Sequence, residues 1–182
     1  MHTAWTLRSL LATASLVILS ACSTTANNEL AALDPPAAAS EDAAPRIAEG
    51  TEARFCPKVS IREGTAIIEK KEGEAVDYVA SIADAKRDCR IVDGKLKIVV
   101  GVEGRVMPGR AAKNRNVELP IRVAVVGNDG VIYSELGQRT VPVQKGGTAQ
   151  NFRYVDEEIL LEPMAGGVVI YTGFDEGPPK RG

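Results

Sequence analysis

The sequence predicts an all-β protein folded as an antiparallel β-sandwich of about seven to nine short strands. Two observations lead to this fold class, and a third argues against a helical fold. Apolar and polar residues alternate with a period of two in four runs of the 182-residue chain, at residues 76–82, 96–102, 117–125 and 168–174. Turn-forming residues separate such runs, as at Asp93-Gly94 and at 127–130. No stretch of ten or more residues carries a helical stripe, and the best helical candidate, residues 156–162, is one or two turns long.

The first 21 residues have the features of a secretory signal peptide. Arg8 supplies a positive charge, the stretch 10–19 is mostly apolar, and no acidic residue occurs before Glu29. The apolar stretch is short and interrupted by Thr and Ser, which favours a cleaved signal over a membrane-spanning helix. It ends in the tetrapeptide Leu19-Ser20-Ala21-Cys22.

This tetrapeptide resembles the lipobox of bacterial lipoprotein precursors. The resemblance implies that the thiol of Cys22 receives a diacylglycerol and becomes the new N-terminus, and that two or three acyl chains anchor the protein. Ser23 follows the cysteine. In this class that residue implies sorting to the outer membrane, with the domain facing the periplasm. The inner membrane and the cell surface remain alternatives.

Residues 22–54 are predicted to be the lipidated cysteine and a flexible tether. Ten of the 32 residues after Cys22 are Ala, three are Pro, and none is aromatic. Such a composition cannot bury enough apolar area to offset the loss of chain entropy.

Residues 55–175 are predicted to form the β-sandwich, followed by a C-terminal tail at 176–182. The segment 119–175 resembles the latter half of immunoglobulin- and fibronectin-like domains: a long apolar strand, an Asn-Asp-Gly turn, a polar strand and a late strand ending in Gly-Phe-Asp. The resemblance is architectural and implies no chemistry. A small closed β-barrel is the alternative, because period-two patterns do not distinguish the two folds.

Cys56 and Cys89 are predicted to form a disulfide. Once Cys22 carries lipid, these two cysteines remain as an even pair in an oxidising compartment. A redox-active pair is the alternative, but such pairs are usually close in sequence, as in Cys-X-X-Cys. A structural bridge is therefore favoured.

The processed chain offers little chemistry. The only histidine, His2, lies in the signal, so histidine bases and histidine-ligated metals are excluded. No phosphate-binding Gly-rich motif occurs, and a net charge of −2 argues against nucleic acid. The acidic clusters at 156–158 and 175–176 are interpreted as a solvated loop and a terminal solubilising segment. We expect no cofactor, no metal and no enzymatic activity.

One basic segment stands out between two long predicted strands. It carries four bases and no acid: Arg105, Arg110, Lys113 and Arg115. A loop of this kind is suited to contact an anionic surface, such as lipid headgroups, lipopolysaccharide phosphates or peptidoglycan carboxylates. The alternative is a solvated loop whose charges protect a sheet edge.

We therefore expect a non-enzymatic, membrane-anchored envelope lipoprotein whose sandwich binds a protein partner or a cell-wall component. The alternative is a module for glycan or lipid, which requires a concave apolar pocket with a few polar groups. An envelope hydrolase is a remote third possibility.

Overall fold

The computed structural model describes residues 45–164 and 166–178, and every regular element in this part of the chain is a β-strand. The nine strands are β1 (Thr51–Glu52), β2 (Lys58–Ile61), β3 (Ile67–Glu72), β4 (Ala75–Val92), β5 (Lys95–Pro108), β6 (Arg115–Gly127), β7 (Gly130–Val143), β8 (Gln150–Leu161) and β9 (Val169–Phe174). The prediction of an all-β chain is confirmed.

The strands form two sheets. The first has the order β1-β4-β5-β8, with β3 also paired to β4, and the second has the order β2-β9-β6-β7. Strands β5 to β8 follow a Greek-key order, since β8 returns across the β6–β7 hairpin to pair with β5. Neither sheet closes on itself among the described residues, so the β-sandwich prediction is confirmed and the closed-barrel alternative is wrong. One pair departs from the antiparallel expectation, because β2 lies parallel to β9.

The core lies between the two sheets and consists of alternate residues of the long strands. Leu96, Ile98 and Val100 of β5 face Leu119 and Ile121 of β6, and all five are almost fully buried. Each such side chain contributes roughly 1.5–3 kcal/mol on leaving water. The period-two pattern of the sequence thus corresponds to the inward faces of the sheets.

The helical candidate at 156–162 is wrong, and so is the solvated loop at 156–158. This stretch is the end of β8, in which a bulge between Asp156 and Ile159 leaves two glutamates opposite a single residue of β5. The bulge lets Asp156 and Ile159 both point into the sandwich. Pairing with β5 and burial of Ile159 and Leu161 therefore outweigh the weak local preference for a helical turn.

Residues 45–49, in the predicted tether, lie against the outer face of the first sheet. Ile47 is only 8% exposed, and its backbone N–H donates to Asp88 Oδ2 at 2.6 Å. Pro45 covers Gly101, where a Cβ would come within 2.9 Å of the proline ring. The described fold thus begins about ten residues before the predicted boundary at Phe55, because a single apolar residue without periodicity gives no sequence signal.

Candidate functional site

The structure brings three arginines together around a concavity of about 770 Å³ that is lined by residues of β4, β5, β7 and β8. We call it the arginine concavity. The polar residues that line it are Ser81, Glu103, Arg105, Arg139, Asn151 and Arg153.

Strand register places these side chains on one face. Arg105 of β5 lies opposite Ser81 of β4 and Asn151 of β8, while Glu103 lies opposite Arg153. Residues two apart on a strand point to the same face, so two adjacent rows of polar side chains result. Arg139 reaches the same concavity from β7 of the other sheet.

Gly104 lines the concavity at a position that has no room for a side chain. A Cβ at this position would overlap both the Ser81 carbonyl oxygen and the ring of Phe152. The absence of a side chain allows Phe152 to pack against β5 as part of the core. Replacing Gly104 would therefore disturb both the core and the concavity above it.

The concavity is strongly positive. Its only acid, Glu103, accepts a hydrogen bond from Lys86 Nζ at 3.1 Å. That bond, with the nearby Asp84, raises the pKa of Lys86. Arg105 and Arg139 form no ion pair or side-chain hydrogen bond with the described residues. Guanidinium groups bind carboxylates and phosphates in a bidentate manner, so this arrangement suits an anionic ligand.

The predicted basic segment does not form one patch. Arg105 lies within β5, not in a loop, whereas Arg110 and Lys113 are both exposed in the turn at 109–114. Lys113 contacts Glu72, and Arg115 contacts Asp77. The bond to Asp77 raises the pKa of Arg115.

The placement of all four bases on a single loop is therefore wrong, for a physical reason. The turn is tied down by hydrogen bonds from Gly109 N to Asp77 O at 2.7 Å and from Ala111 N to Val76 O at 2.9 Å. These bonds bring the acids of β3 and β4 beside the last two bases. Only Arg105 and Arg110 are left without an acidic partner among the described residues.

Two residues of the concavity escaped the sequence argument. Arg139 and Arg153 lie 34 and 48 positions after Arg105 on other strands, and neither belongs to a local basic run. Arg153 comes close to Arg105 because β8 pairs with β5, and Arg139 comes close because β7 lies beside β8. The alternation of residues along β8 indicates weakly which side chains share a face, but it does not indicate which strand pairs with β8.

A buried carboxylate lies between the edge strands of the two sheets. Asp156 is 3% exposed, and the Tyr133 hydroxyl donates to its carboxylate with both oxygens at 3.0 Å. The Glu158 N–H donates to Oδ1 at 3.0 Å. Burial raises the pKa of Asp156. Burial and the adjacent Asp156 carboxylate also raise the pKa of the Tyr133 hydroxyl far above its usual value.

The predicted disulfide is present. Cys56 and Cys89 are bonded, with their Cα atoms 5.7 Å apart. The bridge joins the segment before β2 to β4, and Cys89 belongs to the hydrophobic core. It links the two sheets near the start of the described fold.

A second cavity, of about 620 Å³, opens at one end of the sandwich. We call it the apolar cavity. Its walls are formed by Phe55, Ile91, Leu96, Pro163 and Met164. Glu52 and Arg54 supply two opposite charges at its lining.

Comparisons with protein-family models, with curated proteins and with solved structures found no match. The predicted lipid-attachment residue, Cys22, lies outside the described residues. Among residues 45–164 and 166–178, no helix has the length and apolar character needed to cross a membrane. In the same part of the chain, no group of three or more Cys, Asp or Glu side chains is arranged to hold a metal ion.

Proposed function

We propose that this chain is a bacterial envelope lipoprotein, anchored to the outer membrane through acyl chains on Cys22, whose β-sandwich binds an anionic cell-wall component in the periplasm. Binding, and no chemical transformation, is the proposed activity. The arginine concavity is the observation that carries the proposal.

The chemistry of the concavity supports an anionic ligand. Three arginines line it, and its only acid is already held by Lys86. Each hydrogen bond to a charged group contributes about 1.5–3 kcal/mol. Asn151 and Ser81 add uncharged polar groups that suit a sugar or peptide carrying carboxylates. Peptidoglycan is the cell-wall polymer with this combination of groups.

The position of the docked N-terminal segment is consistent with a tethered binding module. Pro45 lies over Gly101, two residues before Glu103. Residues 23–44, 22 in number, separate it from Cys22, and a chain of that length spans at most about 75 Å. The domain would thus reach the cell wall from the membrane.

Co-sedimentation of the full-length protein with purified peptidoglycan sacculi tests the ligand. We expect Arg105→Glu to weaken binding to sacculi by at least about tenfold. We also expect added salt to weaken the binding of the native protein. Arg110→Glu is the matched control, because Arg110 is an exposed arginine outside the concavity. Equal losses from both variants would mean a general charge effect, and no loss from Arg105→Glu would refute the site.

The anchor is tested separately by Cys22→Ser. We expect this variant to lose membrane partitioning and to lack the mass of the acyl chains in its mature form. Unchanged partitioning and mass would refute lipidation, whatever the outcome with sacculi.

The apolar cavity favours a second candidate function, binding of a lipid chain. Apolar walls with two charges at the lining match the pocket expected for such a module. Met164→Trp should fill this cavity and abolish uptake of a fluorescent fatty acid while leaving binding to sacculi unchanged. Uptake that persists in this variant would exclude the cavity as the site.

A further inference from the structure

Strand β7 presents a long unpaired edge. It forms one end of the second sheet, and no described strand pairs with its outer side. Other edges are protected: β3 has four charged residues among six, and β8 is interrupted by its bulge. From Tyr133 to Val143 β7 pairs with β6 without a register shift. It has only two charged residues, Glu135 and Arg139.

Hydrogen bonding identifies which backbone groups of this edge point outward. The Pro120 carbonyl of β6 accepts from Asp175 N at 3.1 Å, so Pro120 faces the β9 side. Its neighbours Leu119 and Ile121 therefore face β7, where they pair with Arg139 and Gly137.

It follows that even-numbered residues of β7 direct their backbone groups away from β6. Pro142, which has no N–H to donate, falls on this side and ends the available stretch. The outward backbone groups between the bulged Ile132 and Pro142 belong to Ser134, Leu136, Gln138 and Thr140.

Exposed apolar side chains accompany this edge. Val131 is 66% exposed, Ile132 50% and Leu136 41%. These are three of the seven large hydrophobic residues that are exposed in the described part of the chain. An unpaired strand with such side chains is suited to accept another strand.

The two charges of β7 are complementary to each other in an antiparallel pair of identical strands. Glu135 and Arg139 point to the same face and form no ion pair or side-chain hydrogen bond with the described residues. If two copies pair with Gly137 opposite Gly137, each Glu135 lies opposite an Arg139. Ser134 then lies opposite Thr140, which is a favourable cross-strand pair.

This register also satisfies the backbone. It places Leu136 opposite Gln138 and Ser134 opposite Thr140, so the hydrogen-bonded pairs are the even-numbered residues that point outward. Sliding one strand by two residues either way keeps even residues paired but places Glu135 opposite Gly137 or Val141. Only the register centred on Gly137 pairs the charges.

We propose that β7 is a docking edge for a second copy of this chain, which pairs antiparallel in the register centred on Gly137 and extends the second sheet from four strands to eight. The inference does not depend on the proposed cell-wall ligand. A contact of one strand per copy belongs to the small, weak interfaces that bury less than about 1,200 Å². We therefore expect a reversible dimer.

Charge reversal provides the first test, by sedimentation of the full-length protein in density-matched detergent. E135R and R139E each place like charges opposite each other twice, and each should weaken self-association by at least about tenfold. An equimolar mixture of the two variants restores both attractive pairs, so it should associate as tightly as the native protein. Rescue in the mixture also shows that both variants are folded.

Two results would overturn the inference. One is a native protein that stays monomeric up to about 1 mM, well above the range of weak specific contacts. The other is a dimer that is indifferent to both charge reversals. Arg139 also lines the arginine concavity, whereas Glu135 does not, so loss of association in E135R cannot be caused by a change in that site.

Cross-linking tests the register. S134C and T140C on different copies would lie opposite each other about 5.5 Å apart at Cα, within the range of a disulfide. Co-expressed, differently tagged chains should give a mixed disulfide dimer under mild oxidation. S134C alone should not, because its two copies would be about 20 Å apart along the strands. Cross-linking of S134C alone, or none in the mixture, would refute this register.

Discussion

Replacing Tyr133 by Phe probes the buried carboxylate between the edge strands. The Tyr133 hydroxyl donates to both oxygens of Asp156 at 3.0 Å, and Asp156 is almost fully buried. The substitution removes the hydroxyl and leaves the ring in place. Asp156 then retains only the Glu158 N–H as a hydrogen-bond donor among the described residues.

The expected loss at pH 7 is about 2 kcal/mol, since leaving a buried charged group short of a donor costs roughly 1–3 kcal/mol. For a domain of about 130 residues this corresponds to a decrease in Tm of about 7 °C. The loss should shrink as the pH falls toward 4, because the raised pKa of Asp156 means that its carboxyl takes up a proton there earlier than in the unfolded chain.

Asp156 itself should lower stability as the pH rises. Its pKa is raised in the folded state, so the folded chain binds more protons in the window above the unfolded value of 3.8. The penalty for the buried charge is therefore complete above the folded pKa and is relieved as the pH falls through it. Asp156→Asn should flatten the dependence of unfolding free energy on pH in this window.

Urea unfolding of the native protein and of Tyr133→Phe, at pH 7 and at pH 4, measures these effects. Tyr154→Phe is the matched control, because the Tyr154 hydroxyl forms no hydrogen bond with the described residues. The control should lie within about 0.5 kcal/mol of the native protein. A Tyr133→Phe loss no larger than the control, or one equal at both pH values, would refute the reasoning.

Three further predictions concern stability. Replacing both Cys56 and Cys89 by Ala should lower the free energy of unfolding by about 4 kcal/mol, because the unfolded chain is no longer closed into a loop of 34 residues. Unfolding of the native protein with and without reductant measures the same loss, and equal stability of the native protein in both conditions would contradict it. Gly104→Ala should lower Tm by about 10 °C or more, because its Cβ has no room beside β4; an unchanged Tm would show that β5 shifts freely. The pKa of Asp175 is lowered chiefly by its hydrogen bond to Arg122, so its contribution is present above pH 3.8 and is lost as the pH falls below that value. Arg122→Met should remove this loss when the free energy of unfolding is measured at decreasing pH. An unchanged decrease in stability below pH 3.8 would argue against a stabilising contact between Arg122 and Asp175.

Local patterns carried most of the fold prediction. The alternation at 96–102 and 117–125 identified the buried faces of β5 and β6, because a strand places every second residue on the same side whatever its partner. It failed at 156–162, where a bulge changes the period and hides the strand.

The candidate site was only partly accessible to sequence reasoning. Arg105 was identified, but as part of a basic loop with Lys113 and Arg115. Those two bases contact Glu72 and Asp77, which lie on the preceding hairpin of β3 and β4. No spacing in the sequence connects these residues, since their proximity arises from hydrogen bonds between the turn at 109–114 and β4.

The sequence alone therefore determined the class of the fold and the Cys56–Cys89 bridge. Both depend on local periodicity or on the small number of cysteines that remain after Cys22. Only the tertiary structure decided which charges meet. The return of β8 to β5 brings Arg153 to Arg105, and β7 brings Arg139 to the same concavity. The end position of β7 leaves its edge unpaired. Strand order and register are set by the packing of the whole sandwich, so they cannot be read from any one segment.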